Sequence, residues 1–176
     1  MATIYTIGHS TRELPELVSA LKAHGIKTLV DIRAFPMSRR LPHFNRDSLE
    51  KALPESEIRY IWMPALGGRR KKQRKDSPNT GLRNDSFRNY ADYMLTAEFQ
   101  SGIEELVQLA ESGPTAIMCA ERVYFRCHRM LVSDYLKAHG HEILHIDNEK
   151  PARPHKLTDE ARLVDGKLIY AEAKLF

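Results

Sequence analysis

Cysteine is scarce in this chain: 176 residues hold only two, Cys119 and Cys127. That argues against a disulfide scaffold and for a reducing compartment. A single Cys119–Cys127 bridge stays geometrically open. Long apolar runs are lacking too; none approaches the roughly 18 residues of a membrane span, so no membrane partner is expected. The opening Met-Ala-Thr-Ile-Tyr-Thr-Ile-Gly has neither the charged nor the apolar region of a secretory signal. A cytoplasmic location is the expectation. Repeats and linkers are missing as well, and residues 1–176 are expected to form one domain. What is present is an ordinary globular composition: 42% apolar residues, enough at this length for a real core. The net charge of +4 mildly favours an anionic partner, either a small molecule or a nucleic acid.

Strand-like and helix-like segments alternate along the chain. Ile4–Ile7 reads as a strand, and Ser10 with Glu13 fits a capping box for a helix with Leu14, Leu17, Val18 and Leu21 on its apolar face. Lys27–Ile32 is a second strand, and the helix between them suggests a right-handed βαβ unit. A Pro-rich basic loop, Ala34–Arg46, precedes a short helix at Asp47–Leu53 and a strand at Ile58–Met63. Arg69 to Lys75 is the most basic run and opens a polar loop reaching Asn84, either functional or mobile. Helices follow at Phe87–Tyr93 and Phe99–Ala110, bent apart near Thr96. Then come a buried strand at Ala116–Cys119, a polar turn, a helix stopped by Gly140, and a strand at Glu142–Ile146. Pro151–His155 reads as a loop, Thr158–Leu163 as a helical turn and Lys167–Ala171 as a last strand, an antiparallel edge. The pattern predicts an α/β domain of three layers with a mainly parallel open sheet.

In such sheets ligands bind beyond the carboxyl ends of the strands. The chemically rich residues fall there repeatedly: Gly8-His9-Ser10, Asp31 and Arg33, Gly67-Gly68-Arg69, Cys119 and Glu121, Cys127-His128-Arg129, and His145. Cys119 is the candidate nucleophile, with Arg122, Arg126, His128 and the next helix's first turn expected to lower its pKa. Cys127 and Glu121 stand beside it, and His128 or His9 is the candidate proton carrier. Arg33, Arg69 and Arg129 suit an anion clamp, since guanidinium forks pair with phosphate and carboxylate. Asp31 would orient one of them, Gly67-Gly68 permits close backbone approach, and Ser10 completes the substrate-binding set. Three other readings stand beside the enzyme. One is a non-catalytic nucleic-acid-binding module using the basic run Arg69–Lys75. Another is a metal site drawn from Cys119, Cys127 and His128 with Glu121 or His9, although no close Cys-x-x-Cys pair supports it. The last is haem iron held by one cysteine or histidine. No cofactor is identified.

A family resemblance rests on Thr6-Ile7-Gly8-His9-Ser10-Thr11, Val30-Asp31-Ile32-Arg33 with Pro36 and Ser38, Leu66-Gly67-Gly68-Arg69, Tyr90-Ala91-Asp92-Tyr93-Met94, and Met118-Cys119-Ala120-Glu121 leading to Cys127-His128-Arg129. Nearly end to end, the chain resembles the DUF488 family, a domain of unknown function. The resemblance implies an α/β fold and a site at the Cys119 element; some members bear a DNA-repair label, which implies the binding-module reading. Where the resemblance leads one to expect a proline, this chain has Val123-Tyr124-Phe125-Arg126. A fainter likeness is to rhodanese-type folds, which share a Val-Asp-x-Arg strand end and a strand ending in cysteine. Their loop runs from the cysteine through about five residues to an arginine; here Arg126 comes one residue late.

Overall fold

Thr-Ile-Tyr-Thr-Ile-Gly forms the first strand, β1 (Thr3–Gly8), in a computed structural model that describes residues 1–172. Residues 173–176, the end of the expected domain, lie outside the described residues. β-Branched and aromatic side chains suit a pleated surface. Along β1 they alternate, with Ile4 in the hydrophobic cluster on one face of the sheet and Ile7 in the cluster on the other.

Four further strands run parallel to β1: β2 (Thr28–Asp31), β3 (Arg59–Trp62), β4 (Thr115–Cys119) and β5 (Glu142–Ile146). With β6 (Arg153–Pro154), they make a six-stranded sheet in the order β3-β2-β4-β1-β5-β6, of which only the β5–β6 pairing is antiparallel. Helices α1 (Leu14–Ala23) and α2 (Arg46–Glu55) bury Leu17, Leu21, Leu49 and Leu53 against Ile7, Leu29 and Met118. On the other face α3 (Asp85–Tyr93), α4 (Ala97–Ser112) and α5 (Arg129–Ala138) bury Tyr90, Phe99 and Leu131 against Ile4, Val30 and Ile117. Each such buried side chain is worth about 1.5–3 kcal/mol before chain entropy is counted. The result is the expected three-layer α/β arrangement.

The topology also fixes where a ligand can sit. From β1 to β2 the chain moves toward the β3 edge, with α1 on one face. From β4 to β5 it moves the other way, with α5 on the opposite face. The reversal falls at the neighbouring strands β4 and β1 and leaves a crevice beyond their carboxyl ends.

Several local expectations are corrected. Ser10 does not cap α1: it sits at φ 52, and the capping box is made three residues later by Glu13 and Glu16. The Asp47–Glu50 box is not formed either, since α2 begins at Arg46 behind Asn45, whose side chain accepts from Ser38 N instead. The segment read as a helical turn, Thr158–Leu163, contributes a strand, β7 (Ala161–Val164). It pairs with β8 (Lys167–Tyr170) in a separate two-stranded hairpin, so the last strand is not the edge of the main sheet. Asp165 and Gly166 turn this hairpin at φ 50 and 78, the left-handed pair of a tight two-residue turn. The antiparallel edge is β6, inside the segment read as a loop. The polar loop before α3 is tied down at its second half. Ser77 and Asn79 donate to buried Asp92 at 2.6 and 2.7 Å, and Asn79 accepts from Tyr170 N at 2.9 Å.

Candidate active site

Cys119 is the last residue of β4, directly across from Gly8 of β1. The chain leaves the strand there and folds back over the end of β1. His9 N donates to Cys119 O and Ser10 N to Ala120 O, both at 2.9 Å. A short 3-10 turn at Tyr124–Arg126 then returns the chain to the sheet, with Arg126 N donating to Val123 O and Cys127 N to Tyr124 O. No proline is needed to close this turn. It brings Cys127 Sγ to 2.7 Å from Cys119 Sγ, both cysteines free and buried.

The two thiols are not equivalent. Cys119 is held below its usual range by the hydrogen bond from Cys127 and by the nearby charge of Arg129, against the effect of burial. Cys127 is pushed up by burial and by its neighbour. The pair therefore favours a Cys119 thiolate accepting from a Cys127 thiol. At the start of α5, Arg129 N donates to Cys127 Sγ at 3.2 Å, which works against the rise at Cys127 without cancelling it. Arg129 itself is fully enclosed, 2% exposed. Its Nη2 donates to the carbonyls of Glu121 and Arg122, while its Nε and Nη1 find no partner among the described residues.

Both thiols open on a cavity of about 590 Å³ at the switch point. Arg33, Arg69 and Arg126 bring positive charge to its walls, and Phe35, Met37 and Phe87 add apolar surface. Arg33 is held rigidly: Nε and Nη2 donate to the two Asp31 oxygens at 2.9 and 2.7 Å, and Nη2 also donates to Phe44 O. Asp31 accepts in addition from Tyr60 Oη. On the opposite wall His128 Nε2 donates to Ile32 O at 2.8 Å, which leaves Nδ1 as an acceptor against Gly68. A Cβ on Gly68 would lie 2.4 Å from that nitrogen, so only glycine lets His128 stand there. Burial lowers the His128 pKa to about 4, so the ring is neutral at pH 7.

The family model described as Domain of unknown function DUF488 matches residues 13–136. The chain belongs to this family. The match takes in Arg33, Gly67 to Arg69 and the whole Cys119–Arg129 element of this DUF488 protein, and begins beyond His9 and Ser10. No curated protein and no solved structure matches the chain. The likeness to rhodanese-type folds is not confirmed by these comparisons.

Of the residues singled out in the sequence, Cys119, Glu121, Cys127, His128, Arg33, Gly68 and Arg69 meet at the cavity. Glu121 does so as an exposed rim residue whose backbone carbonyl serves Arg129. The others stand behind it. His9 Nδ1 donates to Ser10 O and its Nε2 accepts from Arg33 Nη1 at 3.2 Å, so both ring nitrogens are committed. Burial lowers the His9 pKa to about 4. Asp31 orients Arg33, Arg129 backs the thiols, Gly67 packs against Ala34, and Ser10 makes the turn. Arg122 turns away to Asp147 at 2.8 Å. Among the described residues no group of three or more His, Cys, Asp or Glu is placed to hold a metal ion. Nor is any helix long and apolar enough to cross a membrane.

Sequence reasoning missed the apolar wall, because Phe35, Met37 and Phe87 carry no motif. It also missed a buried polar chain beneath α5. Thr6 Oγ1 meets His145 Nδ1 at 2.5 Å, His145 Nε2 meets His155 Nδ1 at 2.8 Å, and His155 Nε2 meets Asp134 Oδ1 at 2.7 Å. Tyr170 Oη donates to the other Asp134 oxygen, and Tyr124 stacks on His145 at 3.8 Å.

Proposed function

We propose that this DUF488 protein is an enzyme whose Cys119 thiolate attacks a small anionic substrate. One observation carries the reading: Cys119, at the carboxyl end of the central strand, faces a cavity of about 590 Å³ with Cys127 Sγ 2.7 Å away. The substrate's anionic group lies against Arg69 and Arg126, with Arg33 fixed from behind by His9 at Nη1 and by Asp31 at Nε and Nη2. Phosphate- and carboxylate-bearing molecules, nucleotides among them, suit that wall. Cys119 Sγ forms a bond to the electrophilic centre and the leaving group departs into the cavity. Neutral His128 offers its Nδ1 lone pair to a proton on substrate or water. His9 is a positioning residue in this scheme, acting through Arg33.

The test is alkylation followed by mass spectrometry. Cys119 should react with iodoacetamide with a midpoint below about pH 8, under the ordinary thiol value. Anionic iodoacetate should gain on iodoacetamide relative to their rates with free cysteine, and Arg69→Ala with Arg126→Ala should remove that gain. A Cys119 that titrates like free cysteine, or stays unlabelled in the folded protein, ends the proposal.

A further inference from the structure

The proposed thiolate chemistry uses Cys127 only as the hydrogen-bond partner of Cys119. A phosphoryl or acyl group on Cys119 would need water or an acceptor from the cavity, and a second buried thiol helps neither. Yet Cys127 Sγ lies 2.7 Å from the nucleophile, on the same cavity wall. A disulfide spans about 2.05 Å between sulfurs, so joining them asks for a movement of less than about 1 Å. The two cysteines are also held differently. Cys119 is fixed by the pairing of β4 with β1, whereas Cys127 closes a 3-10 turn at the start of α5. An amide N–H, that of Arg129, already donates to Cys127 Sγ, and two N–H-bearing atoms of the buried Arg129 side chain have no partner among the described residues. Negative charge forming on either sulfur is met by donors already in place.

We infer that this site carries out thiol–disulfide exchange with a small disulfide bearing carboxylates; the inference rests on the thiolate reading above and names its substrate class. The Cys119 thiolate attacks one sulfur of R–S–S–R. A Cys119–S–R bond forms, the substrate S–S bond breaks, and the first R–S⁻ leaves and takes a proton from solvent. Cys127 then attacks Cys119 Sγ. The Cys119–Cys127 bond forms, the mixed disulfide breaks, and the Cys127 proton leaves with the second R–SH. Two electrons pass from the protein to the substrate, and a dithiol reductant returns the protein to its starting state. The cavity volume of about 590 Å³ suits a small molecule. Arg33, Arg69 and Arg126 select for carboxylates, and Phe35 with Met37 covers the apolar sulfur-bearing segment.

The experiment exposes reduced protein to oxidised glutathione or to neutral hydroxyethyl disulfide, then counts free thiols and bound adducts by mass. Wild type should lose both thiols and retain no glutathione. Cys127→Ser, or Cys127→Ala should the serine variant fold poorly, should keep one glutathione on Cys119. Oxidised glutathione should react about tenfold faster than the neutral disulfide, relative to their rates with a free thiol. Arg69→Ala with Arg126→Ala should erase that difference. Two intact thiols in a protein whose Cys119 still alkylates below about pH 8 would overturn exchange and spare the thiolate reading. Loss of alkylation as well would overturn both. A glutathione adduct that persists in wild type would remove Cys127 as the second nucleophile, and equal rates for the two disulfides would overturn the carboxylate class.

Discussion

Gly8 and Glu121 meet backbone to backbone: a Cβ on Gly8 would stand 1.8 Å from the Glu121 carbonyl oxygen and 2.8 Å from Arg122 Cα. The turn carrying the reactive thiol lies flat on the end of β1 only because that end has no side chain. Neither backbone can step aside without breaking the His9 N–Cys119 O and Ser10 N–Ala120 O hydrogen bonds. Gly8→Ala should therefore cost about 1–3 kcal/mol in urea unfolding and displace Cys119. Its iodoacetamide labelling should move toward the pH profile of an ordinary thiol. A Gly8→Ala protein with wild-type stability and labelling would show that the turn does not rest on β1.

Acid should weaken the fold over a defined window. Burial lowers His9 and His128 to about 4 and His145 to about 3, against an ordinary value of 6.5. The unfolded chain then binds more protons than the folded one between pH 6.5 and 4, so stability rises with pH there and is lost as pH falls. Above pH 6.5 these groups impose no penalty. Each histidine should take away roughly 2 kcal/mol between pH 7 and pH 5. Urea unfolding at a series of pH values measures the slope. His128→Gln keeps the donor to Ile32 O but cannot titrate, and should flatten the slope by about one histidine's share. An unchanged slope would mean that His128 is not buried neutral.

The strands and the rim were readable because the local signals agree. Apolar runs ended by Gly, Pro or polar clusters mark β1, β2, β4 and β5, and the chemically rich residues follow each run. The strand order was not readable. β1 and β2 look like a simple adjacent pair, yet β4, from much later in the chain, inserts between them. That insertion puts Cys119 across from Gly8, and no local pattern reports it. For the same reason His9 looked like a free acid–base group: nothing in sequence says that Arg33, 24 residues on, occupies its second nitrogen. Thr6 read as strand filler and His155 as loop, because their partners come from other elements. The Asp165-Gly166 hairpin turn goes unread in the sequence, where Thr158–Leu163 reads as a helical turn.

The basic run divides into one structural residue and several solvated ones. Arg70 Nε and Nη2 donate to Gly67 O and Pro64 O at 3.1 and 2.7 Å, and its Cζ lies 3.8 Å from the centre of the Tyr93 ring. Lys71, Lys72 and Arg74 are exposed. Arg70→Ala should therefore cost about 1–2 kcal/mol in urea unfolding. Lys71→Ala, Lys72→Ala and Arg74→Ala should each stay within about 0.5 kcal/mol of wild type. Any oligonucleotide affinity of the loop has to be assayed on those three, since removing Arg70 loosens the cavity wall as well. An Arg70→Ala protein as stable as wild type would break this division.

The buried chain from Thr6 to Asp134 runs in one direction. Asp134 accepts from His155 Nε2, Thr158 N and Tyr170 Oη; with both imidazoles neutral, His155 Nδ1 then accepts from His145 Nε2, and His145 Nδ1 from Thr6. Both rings must then carry their proton on Nε2, which nitrogen-15 spectra of the imidazoles read directly. Hydrogen bonds aligned head to tail polarise one another. Asp134→Asn puts a donor where the chain needs an acceptor and should cost about 1–3 kcal/mol. Thr6→Val removes the far end. Thr6 and Asp134 do not touch, so independent effects would add to within about 0.5 kcal/mol. Coupling above that figure in the double-mutant cycle is the expected result, with the His145 tautomer changing in Asp134→Asn. Strict additivity with unchanged tautomers would reduce the chain to three separate hydrogen bonds.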